Sequence, residues 1–237
     1  MMLSTPSIIE VKWPAPSNIS AFTTTLHLGN LSLNDNPTLS MTREKLKQQL
    51  SLTREPYWMT QVHGNIVLDL DNKNLTHMTA DGSYTRQSNR ICTITTADCL
   101  PILICSENGD EVAALHAGWR SLLAGIIEHG IQAFNAQRHQ LLAWLGPAIS
   151  QQFFIVGNQV YQSFTLKDKT FESAFTRITP KHFHCNLYQL AKQHLKMQGV
   201  THIYHDSYCT YKDKHLFYSH RRQNDKAGRM ATLIWIC

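Results

Sequence analysis

Cys99 and His116 are the pair whose residue types and spacing could do chemistry together. Each stands at the outer end of an apolar run, 100–105 and 112–116, with the length and composition of a strand. The runs are joined by Ser106-Glu107-Asn108-Gly109-Asp110, and an Asn-Gly pair between such runs is a strong hairpin signal. A two-residue type I′ turn at Asn108-Gly109 makes paired residue numbers add to 217, so that Cys99 faces Gly118 and His116 lies diagonal to Cys99. Side chains alternate with period two, which puts Cys99, His116 and Gly118 on one face. Diagonal neighbours sit about 7–8 Å apart at the backbone, within reach of converging side chains. Pro101 has no N–H for the ladder and predicts an edge or bulged strand at that point.

A thiol and an imidazole that converge support two chemistries, with His63, at the Gly64 break, as a plausible third member. In one, His63, Cys99 and His116 bind Zn²⁺ and leave a fourth position open, the arrangement of catalytic zinc, where bound water has its pKa lowered to about 7. In the other, Cys99 is a thiolate nucleophile activated by His116 without metal. A blue-copper site of two histidines, a cysteine and a weak methionine is a third option. A multicopper oxidase needs several further histidines, commonly in His-x-His pairs, and only His182-Phe183-His184 has that form, so copper fits less well than zinc. Asp98 beside Cys99 is a proton-shuttle candidate. Strand alternation would turn it to the opposite face, and a hydrogen-bonding role at a strand end fits it equally. His220-Arg221-Arg222 with Arg229 could grip phosphate bidentately or form a solvated basic edge strand.

These residues need elements to hold them. The spacing predicts a strand over 91–96 feeding the hairpin, and a helix over 119–134 with Leu122, Ile126, Ile127 and Ile131 on one side. The start of that helix would offer free N–H groups and a positive dipole end beside the site. Two strands over 57–68 meet at Gly64; a polar linker at 69–80 leads to a tight turn at Asp81-Gly82. Further strands are expected at 8–11, 19–25, Leu141–Leu145, 201–204, 216–219 and Met230–Ile236. The segment 28–34 alternates and then dissolves into Asp35-Asn36-Pro37. Helices are expected over 42–50 (Met41, Leu46 and Leu50 partly on one face), through Val156, Val160 and Phe164, and after an Asn186 cap. That last helix buries Leu187, Leu190, Ala191, His194 and Leu195 and ends at Gly199. With no repeat and no strong linker, residues 1–237 read as a single α+β domain.

Bulk properties exclude several classes. A chain of 237 residues with 43% hydrophobic and 16% charged residues buries a sizeable core and is not disordered. No run of about 18 apolar residues marks a membrane helix, and Met1-Met2-Leu3-Ser4-Thr5-Pro6 does not resemble a signal peptide. A net charge of +5, concentrated only around 212–229, suits a phosphate pocket as well as nucleic acid and makes no convincing nucleic-acid footprint. The cysteines at 92, 99, 105, 185, 209 and 237 contain no CxxC pair, so reduced thiols and a cytoplasmic setting are expected. Most of them read as small buried apolar residues.

Seven motifs occur in order: Gly29-Asn30-Leu31-Ser32-Leu33-Asn34, Gln61-Val62-His63-Gly64, Ala80-Asp81-Gly82, Thr96-Ala97-Asp98-Cys99-Leu100-Pro101, His116-Ala117-Gly118-Trp119-Arg120, Leu145-Gly146-Pro147-Ala148-Ile149 and the segment 219–229. Together they resemble the YfiH family, long labelled multicopper polyphenol oxidase laccase domains, from about residue 20 to the C-terminus. The resemblance implies a zinc site at His63, Cys99 and His116. It also implies a layered α-β-β-α sandwich with mixed sheets, shared with cysteine hydrolases of the cytotoxic necrotizing factor type. The implied activities are phosphorolysis of adenosine, inosine, guanosine and methylthioadenosine and deamination of adenosine; a separate line implies peptidoglycan editing. Arg120, Arg222 and the helix start after Gly118 are then phosphate donors, with Asp98 moving protons. The chain departs from the family pattern at Ser121, Ile155 and Asn186, away from the three ligands.

Overall fold

Alternation along the long strands divides the apolar residues between separate cores, and that division builds the layers. The computed structural model describes residues 5–33 and 36–237. The start of the N-terminal segment read above, Met1 to Ser4, together with Asn34 and Asp35, lies outside the described residues. In chain order the elements are β1 (Ile8–Glu10), β2 (Ile19–Thr24), α1 (Leu39–Gln49), β3 (Val67–Asp69), β4 (Gly82–Thr85), β5 (Cys92–Thr96), β6 (Leu100–Ser106) and β7 (Val112–Ala117). They continue with α2 (Trp119–Ala124), α3 (Ile126–Gln132), β8 (Leu141–Leu145), β9 (Ile155–Gly157), α4 (Asn158–Lys167), β10 (Phe175–Thr179), β11 (His182–Cys185), α5 (Leu187–Met197), β12 (His202–His205), α6 (His220–Gln223) and β13 (Met230–Ile236).

Two sheets carry the molecule: a four-stranded antiparallel sheet ordered β1-β2-β13-β5, and a six-stranded mixed sheet ordered β12-β8-β6-β7-β4-β3. In β13, Ala231, Leu233 and Trp235 pack with Leu46 of α1, while Ile234 and Ile236 point into a core shared with the larger sheet. In β6, Leu103 and Cys105 join that shared core, while Ile102 and Ile104 meet Leu122, Ile126, Ile127 and Ile131 of α2 and α3 and Leu190 of α5. The layers therefore run α1, four strands, six strands, α2/α3/α5. A small sheet, β10-β11-β9, lies beside them.

The hairpin register is the one the turn signal predicts: Leu100 faces Ala117 and Pro101 faces His116. The turn itself differs. Gly109 alone is left-handed (φ +72°), and Ser106 and Glu111 close a four-residue loop through Ser106 N–H to Glu111 O at 3.0 Å. Its pairs add to the same number, so the register survives the change of turn. Pro101 is not on an edge, because β6 lies between β7 and β8; its ladder with β8 starts only at Ile102 and Leu145, so the missing N–H falls just past its end. The expected helix over 119–134 is two, broken at Gly125, which is left-handed (φ +92°). Residues 57–66 form no regular strand; the segment is sewn to β5 by Gln61, whose amide donates to Thr95 O (2.8 Å) and accepts from Thr95 N–H (2.7 Å). Residues 216–219 are loop rather than strand. On α1, Thr42 and Leu46 are buried while Met41 is 73% exposed, so the apolar stripe is narrower than its composition suggests. Asn186 does cap α5, accepting from Gln189 N–H.

Candidate metal centre and its cleft

A single carboxylate assembles the site. Asp81, fully buried just before β4, accepts from the backbone N–H groups of His63 (2.9 Å), Gly64 (2.7 Å) and Val62 (3.2 Å). These bonds hold the loop at His63, whose φ of +60° is uncommon for a residue with a side chain. The same Oδ1 accepts from His116 Nδ1 at 2.8 Å, while Asp81 O accepts from His116 N–H at 2.7 Å. A carboxylate can only accept, so Nδ1 carries the proton and Nε2 is left as the ligating or basic nitrogen. Burial alone would raise the Asp81 carboxyl, but its bonds to His116, Gly64 and Val62 hold it below the usual range.

Cys99 follows Asp98, which is left-handed (φ +93°), and precedes β6. Its Sγ lies 3.9 Å from His63 Nε2, and the His63 and His116 rings meet edge to face at 4.8 Å. One donor atom from each of the three lies within 4.8 Å of the others. Gly118 permits this approach: a Cβ there would stand 2.9 Å from Cys99 Sγ and 3.2 Å from His63 Cδ2. Burial would raise the Cys99 thiol, yet His116 and His63 draw it down to about 6. Burial would lower His116, yet the sulfur and Asp81 lift it to about 9. Without metal the pair is thus a thiolate and an imidazolium at neutral pH.

The three residues lie at one side of a cleft of about 510 Å³. Met59, Trp119, Ile149, Phe154 and Leu187 give it apolar walls, and Arg120, Arg221 and Arg229 supply positive charge. Arg120 is exposed and its guanidinium lies 4.4 Å above the Trp119 ring. Arg222, expected at the phosphate, is elsewhere: it donates to Thr210 O, Tyr211 O and Phe217 O, and its guanidinium is consumed in tying that loop together. Arg221 and Arg229 line the cleft in its place. Asp98 borders the cleft, but its carboxylate accepts from Thr210 Oγ1 (2.6 Å), Ser219 Oγ (3.0 Å) and Arg221 N–H (2.6 Å). The helix start after Gly118 belongs to a helix of only six residues. His182 and His184 bond Thr179 and Gln151 O on the small sheet, and the described residues contain no other group of three metal-binding side chains.

Asp81 and Gly118 are the residues that sequence reasoning missed in these roles, while Arg221 stood only within the basic cluster 220–222 and was not singled out from it. Asp81-Gly82 reads locally as a turn, and no spacing connects residue 81 to residues 63 and 116. Only its place in a recurring motif marks it.

Residues 18–237 match the family model described as multi-copper polyphenol oxidoreductase laccase. A protein of Escherichia coli named purine nucleoside phosphorylase YfiH is 38% identical, over 97% of this chain and 98% of its own. A purine nucleoside phosphorylase of Haemophilus influenzae is 37% identical over 96% and 98%. Among solved structures, Neisseria meningitidis protein NMB0706 superposes with a TM-score of 0.90 at 35% identity, covering 98% of this chain and 99% of its own. The YfiH protein of Bacillus licheniformis shares the fold, with a TM-score of 0.89 at 23% identity over 99% and 98%. With the family model matched over most of the chain and relatives aligned almost end to end, the chain belongs to the YfiH family of laccase-like domains.

Proposed function

We propose that the chain is a purine nucleoside phosphorylase whose His63, Cys99 and His116 hold a zinc ion. The observation that carries this reading is one cleft that combines a His-Cys-His donor set with three arginines, none of which pairs with a carboxylate among the described residues. The names of the relatives at 37–38% identity support the same activity. The donor set fits the metal: zinc bond lengths of about 2.0–2.3 Å need donors about 3.3–3.6 Å apart, and the three donor atoms, all within 4.8 Å of one another and 3.9 Å apart for Cys99 Sγ and His63 Nε2, close to that by side-chain shifts. Thiolate with two imidazoles suits zinc, and multinuclear copper would need donors beyond this trio. Bound there, zinc supplies Lewis-acid stabilisation of developing negative charge.

The chain's own residues supply the rest. The arginines hold inorganic phosphate, and the apolar walls take the purine and keep water from the sugar. Attack by a phosphate oxygen at C1′ forms the C–O bond as the bond to the purine nitrogen breaks, and the departing base leaves with the electron pair. Deamination of adenosine and phosphorolysis of methylthioadenosine are further reactions of the same cleft, and the setting is cytoplasmic. Zinc-loaded protein given adenosine and phosphate will release adenine and ribose 1-phosphate, with inosine wherever deamination runs. Loaded protein that forms neither adenine nor inosine overturns the reading.

A second reading has its own support in the Cys99–His116–Asp81 arrangement, in which a depressed thiol meets an imidazole oriented by a carboxylate. That is the geometry of a cysteine nucleophile with its base and suits an amidase acting on peptidoglycan precursors. Activity that survives chelation and ends on alkylation of Cys99 favours it; loss on chelation and recovery with zinc removes it.

A further inference from the structure

Asp98 stands where a proton shuttle would, yet its surroundings suit a different task. It is 8% exposed, and both carboxylate oxygens are engaged: Oδ1 by the Thr210 hydroxyl, Oδ2 by the Ser219 hydroxyl and the Arg221 N–H. Its main chain acts separately, with Asp98 O accepting from Ile149 N–H at 3.0 Å. A left-handed backbone at a residue with a side chain is strained and persists where surrounding bonds over-determine it; φ here is +93°. Main chain and β6 thus hold Cys99, while the carboxylate reaches a segment 112 to 123 residues further along the chain.

That segment carries Arg221 into the cleft. Apart from bonds from Nη2 to Ile155 O (3.1 Å) and Nη1 to Phe153 O (3.5 Å), its guanidinium stacks 5.4 Å over Phe154 and keeps the remainder of its five N–H donors. The Arg221 backbone N–H to Asp98 Oδ2 is the bond that ties this cation to the residue preceding Cys99.

We propose that Asp98 is a positioning residue: its carboxylate anchors the turn bearing Arg221 beside Cys99, so that an anion is held at a set distance from the His63–Cys99–His116 group. The phosphorolytic reading is needed only to identify that anion as the phosphate co-substrate. Asp98→Asn turns an amide N–H₂ or a lone acceptor towards three donors, so one branch of the clamp loses its partner.

The test titrates inorganic phosphate calorimetrically into zinc-loaded protein and, independently, measures KM for phosphate and for nucleoside together with bound zinc. Asp98→Asn and Arg221→Gln will each weaken phosphate binding about tenfold, the loss of one charge-assisted bond. Bound zinc and the nucleoside KM will stay within about twofold. Thr210→Val, which removes only the Oδ1 branch, will keep phosphate affinity within about twofold while lowering Tm. Ser219→Ala, a milder variant, will weaken phosphate binding if Asp98→Asn does not fold. Unchanged phosphate affinity in Asp98→Asn with a fall in kcat overturns the proposal in favour of a shuttle, and unchanged affinity in Arg221→Gln or Ser219→Ala also overturns it. Loss of zinc from Asp98→Asn overturns it in favour of a metal-supporting role. Phosphate binding that depends on Arg221 and Asp98 without any nucleoside turnover would leave the clamp standing and remove the phosphorylase reading.

Discussion

Individual side chains set the chemistry through two acids with different tasks. Asp81 meets four donors and binds the His63 loop to the His116 ring, so its loss reaches two of the three ligands together. Removing a partner that orients a ligating histidine typically costs about 10–100-fold in metal affinity. Asp81→Asn will lower zinc affinity by that order in a competition assay with a chelating dye, and Asp81→Ala will also lower Tm because buried N–H groups lose their acceptor. Cys99 offers a second test. With its thiol drawn down to about 6 by His116 and His63 against the effect of burial, metal-free protein is largely thiolate at pH 7. Alkylation by iodoacetamide will therefore slow only as pH falls through about 6. Because the imidazolium is what favours the thiolate, His116→Gln will move that midpoint upward, and zinc will protect the sulfur from the reagent. Both aspartates stand inside motifs that mark them as noteworthy. Neither role can be read from spacing, because their partners lie 17 to 123 residues away along the chain.

At the scale of elements, the β6–β7 hairpin and the turn into α2 decide whether thiol and imidazole meet. The Asn-Gly signal and the two apolar runs were enough to predict the register that places Pro101 opposite His116. The same runs could not reveal that β6 is central, since a proline penalty depends on where the neighbouring strand stops. Gly118 tests this junction. An added Cβ would press on both Cys99 Sγ and the His63 ring, so Gly118→Ala will weaken zinc binding far more than it lowers Tm. The apolar spacing alone predicts a full-length helix over 119–134; the left-handed Gly125 divides it into two, and Leu122, Ile126, Ile127 and Ile131 are buried in one core from both pieces. The strands expected over 57–66 fail for a related reason. That segment finds its hydrogen bonds in the Gln61 side chain and the Asp81 carboxylate rather than in a ladder.

Across the whole molecule, the site depends on segments joined from both ends of the chain. β13, the last strand, lies between β2 and β5 and contributes to the cores on both sides of its sheet. A protein truncated after Arg229 will lose the seven buried residues of β13 at the middle of that sheet and will fail to give a cooperative thermal transition. The strands that bury two faces, Leu141–Leu145 and Met230–Ile236, are legible from their β-rich, largely apolar composition, and the cap at Asn186 from its place before an apolar helix stripe.

Although β4, buried throughout, reads only as a tight turn at Asp81-Gly82, the amino-acid order alone carries the β-rich α+β character, the strands Leu141–Leu145 and Met230–Ile236, the register of the hairpin and, through its motifs, the three candidate ligands. All of these are written in local periodicity, turn chemistry and motif order, which act over a few residues. Only the tertiary structure decided which groups surround the ligands: Asp81 beneath both histidines, Gly118 against the sulfur, Arg221 rather than Arg222 in the cleft, and Asp98 between them. The physical reason is that a buried carboxylate or guanidinium must satisfy its bonds with whatever the fold brings near. Adjacent residues point apart, so a one-residue difference sends Arg222 to backbone carbonyls and Arg221 to the cleft.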